Sequence, residues 1–158
     1  MRILGIDPGT RRCGYGAVEW SSGRLHYLEC GVIEPPRTAP LAARLAELSQ
    51  ELREVISELA PAVVAVEDLF HGIDARAALT LGHARGVALA AVGLADLAVH
   101  AYPPATVKRS VAGYGRAGKE QMAEVVRVLL AMKRRPASDA ADALAVAICH
   151  AHHTGKRP

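Results

Sequence analysis

The sequence predicts an α/β fold with a mixed five-stranded sheet flanked by helices. Residues 3–6 and 62–66 are uninterrupted apolar segments, and each leads directly into an acidic residue, Asp7 or Glu67. Such a segment is typical of a central strand that is buried on both faces of its sheet. The predicted elements come in the order three strands, then helix-strand-helix, then helices. This order also indicates one sheet with helices on its faces.

The N-terminal part of the chain predicts a three-stranded meander. A Pro-Gly pair ends the first strand, a Ser-Ser-Gly turn joins strands expected at 14–20 and 24–34, and a Pro-Pro pair ends the third. Glycine has no Cβ, so Gly9, Gly14 and Gly16 are expected to leave room for a ligand close to the backbone.

The rest of the chain alternates helices with two further strands. Apolar residues recur at helical spacing between Leu41 and Leu59, and Pro61 ends that helix. A strand is expected at 62–67 and another at 98–102. Further helices are expected at 74–96, 105–112, 118–132 and 138–152. The helix at 74–96 is rich in Ala and Gly, and its Ala78, Gly82 and Gly86 would allow close packing against the sheet or against another subunit.

Composition indicates a globular protein and a single domain over residues 1–158. Hydrophobic residues make up 51% of the chain and charged residues 22%, which is typical of a folded domain rather than a disordered one. The three cysteines are far apart and odd in number, so they are expected to be buried free thiols. No apolar run approaches the length of a membrane span and the N-terminus does not resemble a signal peptide, so we expect a cytoplasmic protein.

Charge is distributed unevenly along the chain. Residues 1–100 carry 9 Lys and Arg against 12 Asp and Glu, whereas residues 101–158 carry 10 against 4. A basic C-terminal part indicates a polyanionic partner such as nucleic acid, although solvated surface lysines would give the same count.

Four acidic residues are the candidate catalytic groups. Asp7 and Glu67 end buried strands, while Asp139 and Asp142 project from one face of an otherwise apolar helix. Taken alone, the helical pair fits N-terminal capping equally well. Four carboxylates close together would repel one another unless cations neutralised them. All-oxygen ligands favour two Mg²⁺ or Mn²⁺ ions over zinc, and such a pair suits phosphoryl transfer.

At these residues the chain resembles the RuvC-type Holliday-junction resolvases over nearly its whole length. The resemblance rests on GIDPGT around Asp7, AVED around Glu67, DAADALAVAICH from Asp139, and HARGVA at 83–88. It implies a ribonuclease-H-like homodimer that nicks four-way DNA junctions with Mg²⁺ and leaves 5′-phosphates. It also implies that the four acids bind the metal, that Lys108 and Lys119 contact DNA, and that Phe70 stacks on a junction base. A branch-migration motor is an expected partner.

Other interpretations remain open at this point. Phe70 also fits a core position, Lys119 a solvated one, and the histidines after Cys149 a frayed helix end rather than a zinc site. Asp-x-Gly-Thr also opens the nucleotide-binding lobes of actin and the sugar kinases, but that fold needs two lobes. A non-catalytic junction-binding protein would be expected to lack at least one of the four acids. The roles of Lys133, Arg134 and Arg135 are not assigned by the resemblance.

Overall fold

The structure is a computed structural model that describes residues 1–68 and 74–155. This part of the chain forms five strands and five helices. In chain order they are β1 (Arg2–Asp7), β2 (Cys13–Ser21), β3 (Arg24–Ile33), α1 (Leu41–Leu59), β4 (Val63–Glu67), α2 (Ala75–Leu94), β5 (Val99–Tyr102), α3 (Pro104–Ala112), α4 (Lys119–Leu129) and α5 (Ser138–Thr154).

The strands form one mixed sheet in the order β3-β2-β1-β4-β5. The pairs β1–β2 and β2–β3 are antiparallel, whereas β1–β4 and β4–β5 are parallel. Ser22 and Gly23 have φ values of 51° and 75°, so the β2–β3 hairpin closes with two residues in the left-handed region. This architecture confirms the predicted fold class.

Helices cover both faces of the sheet, and β1 alternates its side chains between the two cores. Ile3 belongs to a core formed with α3, α4 and α5, whereas Leu4 and Ile6 belong to a core formed with α1 and α2. All three side chains are fully buried. The prediction that the opening strand is buried on both faces is therefore confirmed.

Helix α5 lies directly on the sheet because glycines face it. A Cβ at Gly5 would collide with the carbonyl oxygen of Ala143, and one at Gly14 would collide with that of Asp139. The expectation that Gly14 and Gly16 leave room for a ligand was wrong, since the helix backbone and the side chain of Leu144 fill that space. A Cβ at Gly9 would meet the carbonyl oxygen of Arg12, so this glycine permits a tight turn instead.

Helix α2 is apolar on its outer face as well as on its inner face. Ala84, Ala88, Ala91 and Val92 are buried against the sheet, but Leu79 is 63% exposed and Leu94 is 76% exposed. By length and composition alone this 20-residue helix could span a membrane, with a mean hydropathy of 1.4. The expectation that no apolar run approaches the length of a membrane span was therefore wrong. Two arginines interrupt α2, but its many alanines keep the mean hydropathy of the helix high.

Candidate active site

Asp7 and Glu67 end adjacent parallel strands and point to the same side of the sheet. Ile6 of β1 is paired with Val66 of β4, so the two acidic residues that follow are level with each other. Side chains alternate along a strand, and both acids share the face of Ile3 and Ala65, which is the α5 face. The strand register and the alternation of side chains together place the carboxylates of Asp7 and Glu67 beside each other.

Helix α5 brings a third carboxylate to this spot. Asp142 lies one turn into the helix and lines a cleft of about 230 Å³ together with Asp7 and Glu67. Two lysines complete the polar lining, and the remaining walls are apolar. The cleft is lined by Asp7, Glu67, Pro104, Val107, Lys108, Lys119, Met122, Asp142 and Ala145.

Burial and mutual repulsion raise the pKa values of the carboxylates in this cleft. Burial, followed by the charges of Asp142, Glu67 and Asp139, raises the pKa of Asp7 to about 7. Burial is also the main cause that raises the pKa of Glu67 and of Asp142. Such a cluster is a strong site for a cation, because a bound positive charge would offset both the burial and the mutual repulsion.

Two lysines partly neutralise the cluster. The Nζ of Lys119, the first residue of α4, lies 3.8 Å from an Asp142 carboxylate oxygen. Lys108 of α3 lines the same cleft, and both lysines oppose the rise in the pKa of Glu67 and Asp142. The structure thus places both predicted DNA-binding lysines beside the acids. Phe70 lies outside the described residues.

Asp139 is the predicted acid that has a separate partner. Its Oδ2 accepts a hydrogen bond from Arg12 Nε at 2.6 Å, and its charge reaches Asp7 as one cause of the raised pKa. The N-cap residue of α5 is Ala137, and no side chain caps the helix there. The carboxylate of Asp139 therefore engages an arginine from the β1–β2 turn, an interaction that the capping interpretation did not anticipate.

Sequence reasoning missed two arginines around the site. Arg12 was not singled out, although it lies only five residues after Asp7. Arg85 belongs to the HARGVA segment, yet no role was assigned to it. Its guanidinium donates to the carbonyl oxygen of Glu67 at 2.5 Å and pairs with Asp68 at 3.3 Å. Arg85 therefore fixes the end of β4 from the opposite face of the sheet.

The carboxylate set fits a hard divalent cation in its chemistry. Within residues 1–68 and 74–155, however, no three His, Cys, Asp or Glu side chains stand in an arrangement that could hold a metal ion. The histidines near Cys149 have other partners: His150 is buried with Nδ1 2.8 Å from the Tyr102 hydroxyl, and His153 Nδ1 lies 2.8 Å from the Cys149 carbonyl oxygen. The structure thus gives no support to zinc at these histidines.

Comparison with known proteins decides the family. The family model for crossover junction endodeoxyribonuclease RuvC matches residues 3–150. The chain belongs to this family. It is 49% identical over 153 residues to RuvC of Rhodopseudomonas palustris strain BisA53, covering 97% of this chain and 88% of that protein. It is 50% identical over 153 residues to RuvC of Chloroflexus aurantiacus, covering 96% and 93%.

A solved RuvC structure has the same fold. The Thermus thermophilus RuvC structure in complex with a Holliday junction substrate superposes with a TM-score of 0.90 at 35% identity, covering 98% of this chain and 94% of that one. The recognised resemblance and the ribonuclease-H-like fold class are both confirmed. Metal dependence is a property of the RuvC family. The alternative of an actin or sugar-kinase lobe is set aside by the family match.

Proposed function

We propose that this chain resolves Holliday junctions by paired, symmetric nicks. The observation that carries the proposal is the cleft, where Asp7, Glu67 and Asp142 meet beside Lys108 and Lys119. Clustered carboxylates with adjoining lysines suit a phosphodiester substrate, and the related Thermus structure holds junction DNA. All four predicted acids are present, which disfavours a non-catalytic junction-binding protein.

The four acids are proposed to hold two Mg²⁺ or Mn²⁺ ions. Asp7 and Asp142 would share the ions most directly, while Glu67 and Asp139 would complete the ligand set. Bound there, the ions would supply Lewis-acid stabilisation of the attacking and leaving oxygens of the phosphodiester. The donor chemistry and the raised pKa of Asp7 both support this assignment.

The chain's own residues then bind the phosphodiester and restrict water. Lys119 is 78% exposed and stands at the start of α4, whose N-cap Gly118 offers no side-chain cap to the first backbone N–H groups. A phosphate oxygen can accept from those groups and pair with the lysine. Pro104, Val107 and Met122 form an apolar wall, which strengthens charge interactions in the cleft by excluding water.

A cleavage assay on a synthetic four-way junction tests this proposal. With purified protein we expect two symmetric nicks in Mg²⁺ or Mn²⁺, none in EDTA, and little cutting of a linear duplex of the same sequence. Ligation of the products by DNA ligase checks for 5′-phosphates. Cutting in EDTA, or equal cutting of the linear duplex, would contradict the proposal.

Lys119 is proposed to act at the scissile phosphate. Because Lys119 lies in the cleft, Lys119→Ala should lower the cleavage rate at saturating protein by roughly tenfold or more, the loss of a charge-assisted contact. Lys133→Ala removes the same charge from an exposed loop outside the lining of the cleft, and it serves as the matched control. Single-turnover rates check this, and equal losses in the two variants would indicate a diffuse basic surface instead.

We further propose a symmetric homodimer formed through α2. The outer face of this helix is an apolar stripe, here called the α2 stripe, made of Leu79, Gly82, Gly86 and Leu89. Among the residues that the structure describes, a Cβ at Gly82 or Gly86 would meet no atom within 4 Å, and both leucines are exposed. A two-fold interface buries the same patch of both subunits. It would present one metal site to each of two opposing strands of a junction that is itself nearly two-fold symmetric.

Sedimentation of the wild-type protein tests the dimer. We expect a dimer at the concentrations at which junctions are resolved, and a monomer there would contradict this proposal. Base stacking by Phe70, a branch-migration motor as partner, cytoplasmic localisation and a single domain over residues 1–158 remain proposals from the resemblance and the composition.

A further inference from the structure

Arg12 links three parts of the chain at the edge of the cleft. It lies in the turn between β1 and β2. Its Nε donates to Asp139 Oδ2 at 2.6 Å, and its Nη1 pairs with Glu34 Oε1. Asp139 is in the first turn of α5, and Glu34 directly follows β3. The Arg12 guanidinium therefore binds the candidate catalytic residue Asp139 through one nitrogen. It binds Glu34, which is not a candidate catalytic residue, through another.

Asp139 differs from the other three acids in its position. Asp7, Glu67 and Asp142 line the cleft, whereas Asp139 is outside its lining. In the described ranges, 1–68 and 74–155, no three His, Cys, Asp or Glu side chains are arranged so that they could hold a metal ion. The Arg12 hydrogen bond is charge-assisted and short, so it ties up one of the two Asp139 oxygens.

We infer that Arg12 is the resident counter-cation of Asp139 and competes with a divalent metal for that carboxylate. The inference rests on the proposed metal-dependent function and adds to it a residue that sets the metal requirement. A metal held by all four acids would need the Asp139 carboxylate, and Arg12 would then keep Glu34 as its partner. Release of Arg12 is feasible because its side chain is 40% exposed and that of Glu34 is 48% exposed, so water can reach both.

The competition predicts opposite signs for the two ends of this ion pair. Arg12→Gln frees the Asp139 carboxylate and removes a positive charge, and both changes favour the metal. Glu34→Gln leaves Arg12 with Asp139 as its remaining carboxylate partner, which disfavours the metal. If Arg12 instead oriented Asp139 for metal binding, with Glu34 holding Arg12 in place, both substitutions would weaken binding.

Mn²⁺ titration without DNA measures this directly, since free Mn²⁺ is quantified by electron paramagnetic resonance. We expect Arg12→Gln to lower the Mn²⁺ dissociation constant by about fivefold or more and Glu34→Gln to raise it by about twofold or more, as loss of one charged hydrogen bond implies. Arg11→Gln makes the same charge change in the same exposed turn and should alter it by less than about twofold. Arg12→Lys keeps the positive charge but loses the guanidinium, whose separate nitrogens bind two carboxylates. It should therefore tighten Mn²⁺ binding less than Arg12→Gln does.

A double-mutant cycle separates contact from bulk charge. In an Asp139→Asn background, Arg12→Gln should tighten Mn²⁺ binding no more than Arg11→Gln does, because the Asp139 carboxylate is gone and only the removal of a positive charge remains. Weaker or unchanged binding by Arg12→Gln, or an effect equal to that of Arg11→Gln, would overturn the inference. If Asp7→Asn did not weaken Mn²⁺ binding, the proposed function itself would fail. Loss of binding in Asp7→Asn with no gain in Arg12→Gln would refute the competition alone.

Discussion

Helices α2 and α5 have similar compositions but opposite environments. Both are rich in alanine and both are strongly apolar. In α5 an unbroken run from Ala143 to Ala151 is buried, because glycines in β1 and β2 let its backbone rest on the sheet. In α2 the residues facing the sheet are small and buried, while the α2 stripe is exposed.

The difference shows that apolar composition identifies a helix that must be covered, but not what covers it. For α5 the covering surface is the protein's own sheet, and this close packing fixes Asp142 beside Asp7. For α2 the outer surface is left open in the single chain, which supports a second copy as its partner. The following predictions, in decreasing order of their effect on folding free energy, test whether the two helices differ in this way.

The largest effect is expected where α5 touches the sheet. Gly5→Ala would push a methyl group into the Ala143 carbonyl, and the buried backbone on both sides leaves it no room. We expect a loss of about 3 kcal/mol or more in the free energy of unfolding, the upper range for overpacking. Urea denaturation measures it. Gly93→Ala makes the same change in α2, in open space, and should be neutral or stabilising by up to about 1 kcal/mol. Similar losses in both would contradict the contrast.

A smaller and pH-dependent effect is expected at His150 of α5. Burial, with His100 and His153 nearby, lowers the pKa of its imidazole from 6.5 to about 4. Between these values the unfolded chain binds a proton that the folded chain does not. Stability contributed by neutral His150 is therefore full above pH 6.5 and is lost as pH falls towards 4, by up to about 3 kcal/mol.

Comparison of variants isolates this dependence. The raised pKa of Asp7 acts in the opposite direction over the same range, because its folded form binds the extra proton. We therefore expect unfolding free energies of His150→Gln to fall less steeply from pH 6.5 to 4 than those of the wild type. His26→Gln on the exposed hairpin is the control and should follow the wild type. Parallel curves for His150→Gln and wild type would show that His150 is not held neutral.

The smallest effect on folding is expected at the α2 stripe. Gly86 is exposed and a Cβ added there would meet no atom of the described residues within 4 Å, so Gly86→Glu should change monomer stability by less than about 1 kcal/mol. It should nevertheless yield monomers that resolve junctions at least about tenfold more slowly, because a charge is buried in the proposed interface. Sedimentation and cleavage rates check this, with Gln50→Glu at an exposed position of α1 as the control. A dimeric, fully active Gly86→Glu would place the interface elsewhere.

Much of the fold could be predicted because it depends on local periodicity. The buried strands ending in Asp7 and Glu67, and helices α1, α4 and α5, agree with the structure to within a few residues. The approach of Asp7 and Glu67 was also predictable, since parallel strands end at the same edge of a sheet, whereas Asp142 was assigned to the site from its face of a buried helix and from the family resemblance. The resemblance to a family then supplied the chemistry that periodicity alone could not.

The features that were missed depend on tertiary contacts between distant residues. Arg12 and Asp139 are 127 positions apart, and Arg85 reaches the end of β4 from another helix. No spacing in the sequence reveals such a pair. Glycines were misjudged for the same reason, because a missing Cβ indicates close approach without showing whether a ligand or a helix approaches.

The measurement that tests the central claim most directly is cleavage and binding of a four-way junction by Asp7→Asn. The substitution preserves size but removes the charge at the centre of the carboxylate cluster, while the basic surface is unchanged. We predict that cleavage in Mg²⁺ falls by at least about a thousandfold, as expected for loss of a metal ligand. Junction affinity in a gel-shift assay should stay within about threefold of wild type. Cleavage by Asp7→Asn at a rate near that of the wild type would contradict the assignment of the active site.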